Sequence, residues 1–248
     1  MFFSVLLLIA SSSCAEEPTG KPNLLLLEAE VIEMLNADQL RKLDQRLLKY
    51  DQTLERDKDG LTKINDVFFP LTSAILARKD ALKLIHKWKG LVPDSYFPDM
   101  IDARRLFLKS VEARGEGISD SVSRTNWETA QDYADEAIRK LKLIKFPNGI
   151  KSPIYYNISL SLVATSSLTN KRDALYKIFK EAIAQHPTYY FSYFITLDRL
   201  QTKWYGKSGE IFHFIKEEAD LAEENYSDEL YTRMAWTIVD NNIWGCPR

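Results

Sequence analysis

The chain has 248 residues, 45% of them hydrophobic and 27% charged, an ordinary globular balance with enough apolar material to bury a core. Its 33 Lys and Arg against 35 Asp and Glu leave a net charge of −2, so no global basic field attracts nucleic acid or an anionic lipid surface. Two cysteines exclude a disulfide framework and a thiolate metal site, so core packing must supply the stability.

Residues 2–10 form an apolar run, followed by Ser11, Ser12, Ser13 and Cys14 and then a polar stretch to Pro22. This is the shape of a secretory signal, although no basic residue precedes the run. It is too short for a bilayer core of ~30 Å, which takes roughly 20 apolar residues in a helix. The small residues before Cys14 resemble the lipobox of bacterial lipoproteins, whose Cys becomes the acylated first residue; Ser11 stands where that box usually has Leu. Cleavage after Ala15 would instead release a periplasmic or secreted protein. The expectation is an exported lipoprotein of the cell envelope, attached to the membrane only through Cys14. Residues 1–14 are then the signal segment, 15–23 a polar linker, and 24–248 one all-α domain.

From Leu24 onward the apolar spacing is helical. Leu24, Leu27, Val31 and Leu35 form the first stripe. Leu40, Leu43, Leu47, Tyr50 and Leu54 form the second, with Asp38 as its expected N-cap. A third helix over 62–77 contains Pro70, which predicts a kink or a split. Asp80 is expected to cap a short helix that reaches Trp88 and stops at Gly90. A long helix follows Pro93 and runs to Arg114, and the loop over 115–123 is the expected seam. Trp127, Ala130, Ala134, Ala137, Leu141 and Ile144 share one face of the next helix. After a turn at 146–149, helices are expected over 153–168, 170–185, 188–202, 208–224 and 227–240.

A short pattern recurs in the second half: Tyr133 with Glu136 and Ala137, Ile178 with Glu181 and Ala182, Ile215 with Glu218 and Ala219. Residues four apart share a helix face, so each copy sets a large side chain beside a small notch, as close helix stacking requires. Spacings of about 45 and about 37 residues approach those of two-helix repeats, for which the tetratricopeptide period is 34. The expected fold is all-α, an irregular tetratricopeptide-like superhelix of about ten helices.

No catalytic motif emerges. His86, His186 and His213 lack metal-ligand spacing, and neither a nucleophile elbow nor a phosphate-binding Gly loop occurs, so no cofactor or metal is expected. Paired carboxylates leave no compact signature, so a secreted hydrolase with two acids in a groove stands as the alternative. The aromatic series Tyr189, Tyr190, Phe191, Tyr193 and Phe194, with Trp204 and Tyr205, offers either core packing or a concave binding face. Phe191 and Phe194 are expected inside. Tyr189, Tyr190, Trp204 and Tyr205 are the candidates for a binding surface.

Several landmarks follow one another: Trp88, Pro93-Asp94-Ser95, Ala113-Arg114-Gly115, Trp127, Pro187-Thr188-Tyr189, and Trp204-Tyr205-Gly206 before Ser208. Their order resembles an uncharacterised bacterial helical domain of unknown function, related in shape to tetratricopeptide repeats, over about residues 38–240. Lys203 departs from the Pro that usually precedes the Trp, and Lys207 intrudes before Ser208. The resemblance implies a helical-repeat fold and no reaction. Arg114 is expected to meet last-turn carbonyls and Trp204 to anchor one helix pair on the next. Functionally, the expectation is a scaffold that binds a protein partner in the cell envelope.

Overall fold

The structure, a computed structural model, describes residues 21–57, 60–115, 122–202, 204, 206–222 and 227–240. These residues form eleven α-helices: α1 (Lys21–Asn36), α2 (Leu40–Thr53), α3 (Lys63–Leu76), α4 (Ala81–Leu91), α5 (Phe97–Arg114), α6 (Arg124–Leu143), α7 (Pro153–Leu162), α8 (Lys171–Gln185), α9 (Tyr190–Arg199), α10 (Glu210–Leu221) and α11 (Ser227–Asp240). No strand occurs among the described residues. One antiparallel bridge between Arg56 and Thr62 closes the turn from α2 to α3. The all-α repeat expectation holds.

Local chemistry accounts for the elements. Leu40, Leu43, Leu47 and Tyr50 are all buried, so the second apolar stripe is the inner face of α2. Side-chain oxygens of Ser123, Ser152 and Asn170 accept from the backbone N–H groups of Asn126, Ile154 and Asp173, capping α6, α7 and α8. In α6 the buried face is Ala130, Ala134, Ala137 and Leu141. Three small residues there let α5 lie close along it. The pair is antiparallel: Asp102 near the start of α5 meets Lys140 near the end of α6 at 2.9 Å.

Four local expectations need correction. α4 runs through Gly90 and ends at Leu91; the stop is Pro93, which restricts Val92 before it to non-helical backbone. Of the kink or split expected at Pro70, the split does not occur: α3 continues through it, with Val67, Phe68 and Leu71 around it all anchored in the core. Asp38 is not the cap of α2: it adopts φ +58°, pairs with Lys87, and leaves Gln39 at the N-cap position. α7 stops at Leu162, whose carbonyl accepts from both Thr165 and Ser166 as the chain turns away.

Two apolar clusters form the interior. The first gathers residues of α1–α6 with Ile154, Ile158 and Leu162 of α7, and the second gathers α8–α11 with Leu160 and Val163. Opposite faces of α7 therefore serve both. The seam expected at 115–123 lies instead at α7, because α5 and α6 on either side of that loop pack on each other in the first cluster.

Candidate functional site

The repeated pattern does what its spacing requires. Ala137, Ala182 and Ala219 are all buried. The acids beside them differ: Glu136 pairs with Arg139 on its own helix, whereas Glu218 is buried and takes Lys180 of α8 at 2.7 Å. Arg172 and Tyr176 of α8 likewise meet Glu210 of α10, and Phe179 stacks on Phe214 at 5.2 Å. Successive turns of α8 thus grip successive turns of α10.

The aromatic series sorts differently from expectation. Tyr189 is 0% exposed; its hydroxyl donates to Asn65 Oδ1 at 3.0 Å and accepts from Asn157 Nδ2 at 3.2 Å. Tyr190 is also buried, with Arg56 4.5 Å and Arg233 5.2 Å from its ring centre. Phe191 and Phe194 are only half-buried. The two tyrosines are therefore core residues and not surface candidates. A buried tyrosine is stable where its hydroxyl finds a partner, and Asn65 and Asn157 supply one. Cys14 and Tyr205 lie outside the described residues.

Buried acids form a polar spine through the first cluster. Asp44 accepts from Trp88 Nε1 at 2.9 Å, and Asp51 accepts from Tyr96 at 2.6 Å and from Ser152. Burial pushes both carboxyls up, Asp51 to about 6. Neither lines a described cavity. The largest of these, about 770 Å³, lies between the α4–α5 turn and the end of α6. Four of its six charged side chains form two pairs: Lys89 with Asp99 at 2.8 Å, Lys140 with Asp102 at 2.9 Å. A second, of about 300 Å³, has apolar walls from α6, α7 and α8, including Ile138, Val163 and Ile178. No cluster of three potential metal ligands occurs among the described residues. No described helix is long and apolar enough to cross a membrane.

The surviving candidate, Trp204, belongs to a larger arrangement. Arg114 lies between two indoles, 5.3 Å from the ring centre of Trp127 and 5.3 Å from that of Trp204. Each indole also meets a second cation: Lys171 lies 5.8 Å from the Trp127 ring centre and Arg199 5.0 Å from that of Trp204. The result is a cation–ring ladder assembled from α5, α6, α8, α9 and the turn after α9. Burial pushes the Lys171 ammonium down, and its Nζ donates to the Ala164 carbonyl at 3.0 Å. Arg199 pairs with Asp198 at 2.6 Å. Arg114 Nη1 donates at 3.2 Å to the carbonyl of Gly115, the residue just past the end of α5.

Gly206 holds the turn that carries Trp204. A Cβ at this position would sit 1.6 Å from the Leu200 carbonyl oxygen, so only glycine allows the backbone this close. Trp204, Gly206 and Arg114 are each visible in the sequence as landmarks. Arg199 and Lys171 are not, because each is one cation among 33 until the helices bring it to an indole. Guanidinium groups stacked on indoles offer planar cationic and apolar faces together, the chemistry that holds carboxylates with apolar neighbours. No family model, curated protein or solved structure matches the chain.

Proposed function

We propose that this protein is an exported helical-repeat scaffold, held at the cell envelope through Cys14, which binds a protein partner across the Arg114–Trp127–Trp204 ladder. The observation that carries the reading is the guanidinium of Arg114 between two indoles contributed by separate segments. Trp, Tyr and Arg are the residues that dominate binding hot spots, because they bring large apolar area and directed polarity together. The partner segment suited to the ladder is acidic with apolar or aromatic neighbours.

Crosslinking and capture from membrane fractions test this with wild type and the Arg114→Ala/Trp204→Ala double variant. The expected result is loss of the captured partner, with the urea unfolding midpoint reported alongside. Undiminished capture by a folded variant overturns the binding site. A Cys14→Ala protein is expected in the soluble fraction, and its retention in membranes overturns the anchor alone.

A further inference from the structure

Arg104 sits one stretch along α5 from the ladder and is held quite differently from its neighbours. Its guanidinium lies over the Phe69 ring of α3, 4.2 Å from the ring centre. Its Nε is buried without a hydrogen-bond partner among the described residues. The adjacent Arg105 shows the contrast: it takes Asp102 at 2.8 Å, the same acid that holds Lys140. Among the described residues no acid acts on Arg104; burial pushes the guanidinium down to about 10. A cation withdrawn from water without a counter-charge is costly, and a bidentate carboxylate is the group that offsets that cost best.

The surroundings restrict what bears the carboxylate. Leu108 and Val111 follow Arg104 by four and seven residues, so all three share one face of α5. These two residues are 38% and 45% exposed, an apolar strip on the turns that follow Arg104, whereas Met100 and Ile101 on the turn before it are buried. From Arg104 to Val111 the helix rises about 10 Å. We propose that Arg104 is the carboxylate-binding residue of a site for a small monocarboxylic acid whose apolar body lies along Leu108 and Val111. Arg104 reads the anion and the strip reads the hydrocarbon, so neither a bare anion nor a neutral amphiphile satisfies both. The inference does not rest on the ladder's role in partner binding.

Isothermal titration calorimetry of the full chain with sodium octanoate below its aggregation range tests the site, with acetate, inorganic phosphate and octylamine as comparison probes. Octanoate is expected to bind saturably and at least about tenfold tighter than the other three, a factor of ten being about 1.4 kcal/mol. Arg104→Gln is expected to abolish octanoate binding, and Arg104→Lys, which keeps charge but loses the planar fork, to weaken it. Leu108→Ser with Val111→Ser is expected to reduce octanoate to the level of acetate. Absence of octanoate binding to wild type, equal binding by a folded Arg104→Gln protein, or phosphate binding as tightly as octanoate would each overturn the proposal. Partner capture by Arg104→Gln should remain intact, which separates this site from the ladder.

Discussion

Asp51 is the residue whose chemistry most directly reaches a bulk property. Its carboxyl links α2 to Tyr96 and to Ser152, the cap of α7, and burial raises it from 3.8 to about 6. A raised carboxyl favours the protonated form in the folded state. Its stabilising contribution is therefore complete below about pH 3.8, declines as pH rises, and is gone above about pH 6. The shift corresponds to roughly 2–3 kcal/mol. In Asp51→Asn the group no longer titrates. The stability difference between wild type and variant, from urea midpoints at pH 4 and pH 7, is expected to change by about that amount. A difference that stays constant with pH means the carboxyl is not held as described. Tyr189 illustrates the same rule without charge: its hydroxyl is satisfied by Asn65 and Asn157, and the ring is free to be core.

At the scale of the element, the large-beside-small pattern is what makes helices pack here. Ala182 is buried while Ala184, two residues on in α8, is exposed. Ala182→Leu forces extra volume into a filled interface and is expected to cost about 1–3 kcal/mol, whereas Ala184→Leu should stay within about 0.5 kcal/mol. Chemical denaturation of the two variants measures this, and equal effects would refute the notch. The helix spans themselves were legible: each of the eleven was expected near its observed place, because the 3.6-residue period survives in single stripes. Their ends were less so. Gly90 and Asp38 carry the usual residue types for a stop and a cap, yet Pro93 and Gln39 hold those positions. Terminal residues answer to neighbours in space, Lys87 in the case of Asp38.

For the whole molecule, α7 decides cooperativity. Ile158 belongs to one apolar cluster and Leu160 to the other, and both side chains are essentially fully buried. A helix shared by two cores couples the melting of one to that of the other. Ile158→Ala and Leu160→Ala are each expected to cost about 2–4 kcal/mol and to lower the midpoint of a single unfolding transition. Far-UV circular dichroism and tryptophan fluorescence should report coincident curves for both variants. Separate transitions would make the clusters independent. A second tie closes the chain on itself: Glu229 of α11 pairs with Arg56 in the α2–α3 turn at 3.8 Å, beside the Tyr190 ring.

The amino-acid order alone determined that this chain is helical, roughly where each helix lies, and that Ala137, Ala182 and Ala219 face inward, since all three follow from short-range periodicity. Tertiary structure decided which aromatics are core and which cations meet rings. It also decided where the two cores divide. Those outcomes depend on distances between residues far apart in the chain, such as Arg114 with Trp204 or Tyr189 with Asn65. A one-dimensional pattern records the face a residue shares with its helix neighbours, and carries no record of what is folded against that face.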